Sequence, residues 1–322
     1  MSSKAMGKGG VSAVTAVAVA LCFVSYLVDS PQPPTGYMGI CLPSPNLWTL
    51  VPVAGWGLNL GLLIATTVGL YFVNKVFTIV AGAQTILTAI FLLMAASVPW
   101  IGGMLTSSAI LAPAMLACIA ILCSCYRQRN STQEIFVLAT ILSLGSMIQY
   151  AFIFMIIPAV TIAIAFKCMH LKEVLAMLLG LVAPYWVGIG LGLIPIENFA
   201  VPHLTNLFDV NMSRGTIFFG LVNLAVTALL TLILSLYNSM KLYAGNPRRR
   251  FLNLAFVVLE VCCVAFMVID FNNLTAYIVT FYLCCAVQYA NLFALWRIRR
   301  AWIWSLLICL MYCGLYTASL LS

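Results

Sequence analysis

The sequence predicts an all-α fold, a polytopic bundle of about eleven transmembrane helices in which residues 1–322 form a single integral membrane domain. Of the 322 residues, 64% are hydrophobic and only 7% are charged, whereas a soluble domain has about 25% charged residues. Most apolar stretches are long enough to cross a bilayer as helices, which takes about 20 residues. They lack the period-two alternation of an outer-membrane β-barrel. Composition and pattern therefore exclude a soluble fold and a barrel.

The first predicted span, Val11 to Val28, follows a short basic start that contains Lys4 and Lys8. Signal peptides begin in the same way. However, the segment ends in Ser-Tyr-Leu-Val-Asp-Ser, which has no small-x-small cleavage site. Leu21, which precedes Cys22, is too large for a typical lipoprotein processing site. We therefore expect this segment to be an uncleaved first span.

The next three spans are separated by recognisable helix breaks. Residues 29–47 form a proline-rich loop, which is predicted to be extended because proline disfavours a helix. The joint between the second and third spans is predicted at Asn74-Lys75, and residues 99–103 break the helix before the fourth span. These spans cover roughly 50–73, 76–98 and 105–125.

The apolar run 135–166 allows two arrangements, one very long tilted helix or two short helices. Gly145 and the pair Gln149-Tyr150 lie at its middle, where a reversal of the chain can occur. Upstream, Ser131 is followed three residues later by Glu134, which is the pattern of a capping box at a helix start. The composition of the run alone leaves both arrangements open.

Basic residues decide between them, because Lys and Arg are retained on the cytoplasmic side of short loops. With two short spans, fourteen of the fifteen Lys and Arg residues lie on the cytoplasmic side and Arg214 alone lies outside. With one long span, nine of them would move outside. We therefore predict a short hairpin at 135–166, near the lower length limit for crossing. The amino terminus is then cytoplasmic and the carboxyl terminus extracytoplasmic.

The charge distribution also bears on partners. The net charge of +8 is spread over short loops instead of one stripe, so nucleic acid is not an expected partner. Basic clusters at 248–250 and 297–300 border the membrane surface, where membrane lipids are expected to bind. No internal repeat is visible, which disfavours a transporter built from inverted repeats. The remaining spans are predicted at roughly 174–196, 217–238, 251–269, 275–293 and 303–321.

Glu260 is the only ionisable residue that the sequence places deep within a predicted span, in Val-Val-Leu-Glu-Val-Cys-Cys. An intramembrane carboxyl is costly and is by default a functional candidate, as a proton relay, an ion site or a substrate contact. The alternative is a protonated side chain that is hydrogen-bonded to a polar residue of a neighbouring helix. Partners of that kind are Gln84, Gln149, Asn223 and Gln288.

The predicted extracytoplasmic loop 197–216 combines an acid, a base and a cation. Its residues His203, Asp209 and Arg214, together with Asp29 after the first span, are the weak candidates for a catalytic pocket at the outer face. Membrane enzymes that act on lipid-linked sugars use a carboxylate or His as a base and an Arg as a diphosphate clamp. The alternative is a solvated loop that carries a few polar residues.

No metal, nucleotide or other cofactor is expected. The chain has two His, His170 and His203, which the predicted topology places on opposite faces of the membrane, so a His-based metal site is excluded. The glycines at 55–57 and 188–192 lie within spans and do not follow a strand, which favours close helix packing over a nucleotide-binding loop. Most of the twelve Cys lie in apolar runs, and Cys41 is the one clearly extracytoplasmic thiol.

A set of motifs between residues 123 and 186 resembles a known family. They are Arg129 ahead of Glu134-Ile-Phe136, then Gly145, Tyr150-Ala-Phe152 leading to Pro158, Leu171-Lys172-Glu173, and Gly180-Leu-x-x-Pro184-Tyr185. The chain resembles an uncharacterised family of polytopic inner-membrane proteins of diderm bacteria, although Lys172-Glu173 replaces an expected Arg-Glu. That family has no assigned activity, so the resemblance implies architecture and a location. The hairpin is more faintly similar to membrane polymerases of lipid-linked polysaccharides, from which no catalytic residue carries over.

Three hypotheses for function remain. The first is a transport-related or non-catalytic component of the cell envelope in the bacterial inner membrane. The second is a membrane glycosyltransferase or a polysaccharide polymerase-like enzyme that acts on a lipid-linked substrate at the outer face. The third is a structural subunit of a membrane complex, whose partners would be other envelope membrane proteins. The sequence favours a role without catalysis.

Overall fold

The chain is helical because a backbone in lipid must satisfy its own N–H and C=O groups, which a helix does within one segment. The computed structural model describes residues 8–28, 39–45, 48, 51–126, 128, 130–192, 199, 204, 215–243, 247–296 and 301–321. Over these residues the protein forms thirteen α-helices, one 3-10 turn and no β-strand. The all-α fold predicted from the sequence is confirmed.

The helices follow one another in the chain with short connections wherever both flanks are described. They are α1 (Lys8–Leu27), α2 (Pro52–Phe77), α3 (Gln84–Ala96), α4 (Pro99–Gly103), α5 (Ser107–Ser124), α6 (Thr132–Ile148), α7 (Ala151–Phe154), α8 (Ile156–Ala165), α9 (Leu171–Gly190), α10 (Gly215–Tyr243), α11 (Pro247–Ile269), α12 (Leu274–Trp296) and α13 (Ala301–Leu321). The 3-10 turn, Phe271–Asn273, joins α11 to α12.

Within the described residues, eight helices are long and apolar enough to cross a membrane, judged by length and composition. They are Gly10–Leu27, Pro52–Phe77, Ser107–Ser124, Leu171–Gly190, Phe218–Leu242, Pro247–Ile269, Phe271–Leu295 and Ile303–Leu321. Three apolar helical segments are shorter, namely Gln84–Ala96, Thr132–Ile148 and Ala151–Ala165. Each predicted span therefore has a corresponding apolar helical segment.

Helix α12 lies at the centre of the bundle. Within the described chain, 83% of its apolar span is buried, against 22% for α1 and α2 and 28% for α9 and α13. It packs against α3, α5, α10 and α11. This position makes α12 the helix around which polar side chains from several neighbours meet.

The turn after α2 differs from the sequence prediction. The predicted joint at Asn74-Lys75 lies inside α2, which continues to Phe77. The reason is the buried side chain of Asn74, whose Oδ1 accepts the N–H of Val80 at 2.7 Å and whose Nδ2 donates to the carbonyl of Val80 at 3.3 Å. Asn74 thus stabilises the turn from the helix side, and the third span starts only at Gln84.

Residues 132–165 fold back on themselves. The hydroxyl of Ser131, before α6, donates to the carbonyl of Cys168, after α8, at 3.1 Å. Both ends of the segment therefore lie at the same end of the bundle, and the chain reverses at Gln149-Tyr150, as the hairpin hypothesis requires. Helix α6 also packs along α9.

The capping box predicted between Ser131 and Glu134 does not form, and Glu173 of α9 takes the place of Glu134 at the start of α6. The Ser131 hydroxyl points to Cys168, and the first turn of α6 is instead contacted by Glu173 of α9, whose Oε1 accepts from the hydroxyl of Thr132 at 3.3 Å. Its Oε2 accepts the N–H of His170 at 3.2 Å, at the start of its own helix. One buried carboxylate thus serves two adjacent helix N-termini, where negative charge is favourable.

The two ends of the bundle differ in charge. At the basic end, the ring of Tyr126 lies 5.6 Å from that of Phe166 and 5.6 Å from that of Phe251, between ring centroids. The basic residues at 167–172 and 248–250 therefore lie near one another. The opposite end, the Asp270 end, contains the α6–α7 junction and the α11–α12 connection.

A short loop covers part of the Asp270 end. The N–H groups of Ile40 and Leu42 donate to the carbonyls of Ser146 at 3.2 Å and Met147 at 2.9 Å, near the last turn of α6. Cys41, between them, is buried. Burial raises the pKa of the Cys41 thiol, so the thiol expected to be extracytoplasmic is shielded and poorly reactive.

Candidate functional site

The predicted outer pocket falls on residues outside those described. Asp29, His203, Asp209 and Arg214 all lie in these gaps, so their convergence stays a prediction. Glu260 lies within the described chain, and the candidate site is built around it.

Glu260 lies in the middle of α11 and is completely buried. Its carboxyl lies close to Thr231 of α10 and to Cys284 and Cys285 of α12. Neither carboxyl oxygen has a hydrogen-bond partner among the described residues. The Thr231 hydroxyl faces the carboxyl but donates to the carbonyl of Thr227 at 2.8 Å. Glu260 is therefore a buried acid whose oxygens are left unsatisfied by the groups around it.

A row of buried polar residues on α10 passes Glu260, and we call it the polar seam. Its members recur every three or four residues and so share one face of the helix. They are Asn223, Thr227, Thr231, Ser235 and Asn238. A polar face of this length on a membrane helix is expensive unless it meets other polar groups or lines a path for them.

Towards the Asp270 end, the seam contacts α3 and α13. The amide of Asn223 donates to Ser97 Oγ at 3.1 Å, and its Oδ1 accepts from the hydroxyl of Thr227 at 3.3 Å. The Thr227 hydroxyl lies 3.1 Å from that of Tyr312. These contacts form a continuous hydrogen-bonded chain across three helices.

Towards the basic end, the seam contacts α11 and α12. Asn238 Nδ2 donates to the carbonyl of Gln288 at 2.9 Å and to its Oε1 at 3.1 Å. Next to it, Asn253 Nδ2 donates to Ser239 Oγ at 3.3 Å and Asn291 Nδ2 donates to Asn253 Oδ1 at 3.1 Å. Glu260 lies between the two halves, where the thiol of Cys285 is 3.5 Å from Thr231 Oγ1.

Three of the four partners considered for Glu260 from the sequence form hydrogen bonds with other residues. Asn223 and Gln288 belong to the seam contacts above, and Gln149 Nε2 donates to Asn273 Oδ1 at 2.6 Å. A buried polar group without a partner requires a physical explanation, such as a bound water, an ion or a functional role. Among the described residues, none of the four is hydrogen-bonded to the Glu260 carboxyl.

A second buried acid, Asp270, lies at the end of α11. Its Oδ1 accepts the hydroxyl of Tyr150 at 2.7 Å and the amide of Asn273 at 2.9 Å, and its Oδ2 accepts the hydroxyl of Tyr277 at 2.9 Å. The Asn273 amide also contacts the Tyr150 hydroxyl. The network joins the α6–α7 junction, the 3-10 turn and α12.

The protonation of Asp270 reflects two opposing effects. Burial raises the pKa of its carboxyl above the ordinary value, and the hydrogen bonds from Asn273, Tyr150 and Tyr277 partly offset that rise. No basic side chain contributes to the shift. Asp270 does not stand out in the sequence because it falls between two predicted spans. The one available indication was the shortness of that connection, which leaves little room for a solvated loop.

An apolar groove of about 410 Å³ lies between α10, α11 and α12 on the side of the Asp270 end. All twelve of its lining residues are apolar, among them Phe218, Leu221, Met267 and Phe281. Two of its lining residues are Ala228 and Val264, which lie about one helical turn from Thr231 and from Glu260, respectively. The groove thus approaches the buried acid without including it.

Comparison with known proteins found no match for this chain. The chain matches no protein-family model, no curated protein and no solved structure. Within the described residues, no group of three or more His, Cys, Asp and Glu is arranged to hold a metal ion. The buried side chains of the described site carry carboxyl, hydroxyl, amide and thiol groups.

Proposed function

We propose that this protein is a proton-coupled transport component of the bacterial inner membrane, with eleven spans and a cytoplasmic amino terminus. Its proton-binding group is Glu260. The observation that carries the proposal is a completely buried carboxyl that has no hydrogen-bond partner among the described residues and lies midway along a polar seam. The resemblance of residues 123–186 to inner-membrane proteins of diderm bacteria agrees with this location.

The environment of Glu260 favours proton exchange over permanent charge. Removing a carboxylate from water costs several kcal/mol unless a cation or several donors compensate. Thr231, Cys284 and Cys285 offer no positive charge. Glu260 is therefore protonated at rest, and it releases the proton when the packing around the seam changes and water or a cation reaches it.

The orientation proposal rests on the arrangement of the basic end. The segments 167–172 and 248–250 lie near one another there, around Tyr126. Placing this end in the cytoplasm satisfies the positive-inside rule for both segments at once. The Asp270 end then faces the extracytoplasmic side.

Proton flux into proteoliposomes tests the proposed function. The purified protein is reconstituted with a pH-sensitive dye inside, and uptake is driven by a potassium diffusion potential. We expect E260Q to reduce the flux of the wild type by about tenfold or more, since a relay without its carboxyl cannot bind the proton. The control E134Q, which makes the same change at the basic end, should stay within about twofold of the wild type.

Carbodiimide labelling gives a second measurement that needs no substrate. Dicyclohexylcarbodiimide reacts with protonated carboxyls in apolar surroundings, so mass spectrometry should find Glu260 labelled in the wild type and in E134Q. Full proton flux in E260Q, or an unlabelled Glu260 in folded protein, would show that Glu260 is not the proton-binding group.

A further inference from the structure

We propose that Asp270 is the outer proton acceptor that exchanges a proton with Glu260 through Tyr277. The inference rests on the proposed function and adds a second proton-binding residue to it. It assigns a role to a buried acid that the sequence did not single out as a site residue. It also gives the proton a defined route between the centre of the membrane and the Asp270 end.

The first step of the route lies along α11. Cys263 follows Glu260 by three residues and lies close to it, on the same face of the helix. Cys263 is also close to Tyr277 of α12, whose ring packs 5.8 Å from that of Phe266. Tyr277 therefore faces the segment of α11 between the two acids.

The second step is a direct hydrogen bond. The hydroxyl of Tyr277 donates to Asp270 Oδ2 at 2.9 Å. Glu260 gives its proton to the Cys263 sulfur, the thiol proton of Cys263 passes to the Tyr277 oxygen, and the hydroxyl proton of Tyr277 passes to Oδ2. Glu260 then has lost one proton, Asp270 has gained one, and Cys263 and Tyr277 are both neutral before and after. No other reactant is needed.

The surroundings of Asp270 suit a transient acceptor. The titratable groups that face it are Tyr150 from the α6–α7 junction and Tyr277 from α12, and Asn273 of the 3-10 turn completes the hydrogen bonds. All three are neutral donors, so they stabilise the carboxylate without the permanent attraction of a salt bridge. Asp270 can therefore be charged or neutral within the same fold.

In this proposal, the position of the hairpin determines whether Asp270 is accessible from the extracytoplasmic side. Tyr150 and Gln149 lie at the reversal of the hairpin, and both belong to the network, Tyr150 through Asp270 and Gln149 through Asn273. Asp270 is buried beneath this contact. Separation of the hairpin tip from the α11–α12 connection would expose Asp270 to the extracytoplasmic side and let it release the proton.

The test compares D270N, Y277F and E260Q in the same proteoliposome assay, with Glu260 labelling as the second readout. We expect D270N and Y277F each to lower the flux about tenfold while Glu260 is still labelled as in the wild type. D270E should recover part of the flux, because it restores a carboxyl. Y316F is the matched control, since Tyr316 is also a buried tyrosine but its hydroxyl lies 2.8 Å from Ser25 Oγ instead of near Asp270, and its flux should equal that of the wild type.

The outcomes separate the inference from the proposed function. Wild-type flux in D270N or Y277F, with flux lost in E260Q, overturns the role of Asp270 and leaves Glu260 in place. Wild-type flux in E260Q overturns the proposed function itself. Where D270N fails to purify as a folded protein, Y277F carries the test, because phenylalanine keeps the buried ring and removes only the hydroxyl. Loss of Glu260 labelling in a folded Y277F also overturns the inference, since it indicates a structural defect at the centre of the membrane.

Discussion

Two carboxyls in this protein are buried to a similar extent and yet have opposite surroundings. Glu260 has no hydrogen-bond partner within the described chain, whereas Asp270 accepts three donors. An acid without donors is most stable when protonated, and an acid with three donors tolerates charge. The two acids at the middle and the end of α11 therefore differ in how well their surroundings stabilise the charged form, which is stabilised at Asp270 and not at Glu260.

At the residue scale, the raised pKa of Asp270 predicts a specific pH dependence of stability. The folded protein binds a proton at this site more tightly than the unfolded chain, whose aspartate has a pKa of about 3.9. Stability therefore falls as pH rises from about 4 through the raised folded value, and it recovers on acidification. D270N lacks this titration. The wild type should lose melting temperature relative to D270N over that range, as measured by thermal denaturation in detergent.

Other carboxyls titrate in both proteins, so only the difference between the two curves is informative. Curves that run parallel from pH 4 to pH 8 would show that burial does not raise the pKa of Asp270. A difference that grows on acidification instead would mean that its pKa is lowered in the folded protein.

At the element scale, the hairpin depends on the absence of a side chain at Gly145. A Cβ at this position would lie 2.2 Å from Phe152 Cδ1, and Phe152 is itself buried. We expect G145A to destabilise the protein by about 1–3 kcal/mol through overpacking, which exceeds the gain of about 0.5–1 kcal/mol from replacing a helical glycine. Thermal denaturation in detergent measures the change.

Gly57 provides the matched control, because it is also helical and a Cβ there has nothing within 4 Å. G57A should therefore be neutral or slightly stabilising. The loss of stability from F152A to G145A/F152A should be smaller than the loss from the wild type to G145A, because the clashing ring is absent from both F152A variants. Equal stability of G145A and the wild type would mean that α6 and α7 do not pack as described.

At the scale of the whole molecule, the basic end fixes the proposed orientation. Reporter fusions at 167–173 and 240–250 should both report a cytoplasmic location, because the positive-inside rule acts on these loops and the hairpin returns the chain to the side from which it entered. Cytoplasmic reporters at both sites support the eleven-span arrangement. An extracytoplasmic result at either one contradicts it.

Some parts of this architecture could be predicted and others could not, for physical reasons. The hairpin was predictable because charge asymmetry in short loops reflects insertion, which acts on each segment in turn. The sequence placed the start of α6 correctly after Ser131 but missed its acidic partner, because Glu173 contacts Thr132 only when α6 packs along α9. The sequence likewise predicts that the helix ends at Asn74, whereas α2 continues to Phe77 and the Asn74 side chain accepts the N–H of Val80 in the turn that follows.

The sequence by itself determined the helical class, the apolar segments and Glu260 as a candidate, because the bilayer selects long apolar runs and makes any carboxyl within them exceptional. Only the tertiary structure decided which polar groups meet. The rotation of α10 brings its polar face to Glu260 and α12, and the close connection of α11 to α12 buries Asp270 against the hairpin tip. Such contacts depend on how helices pack, which hydropathy does not encode.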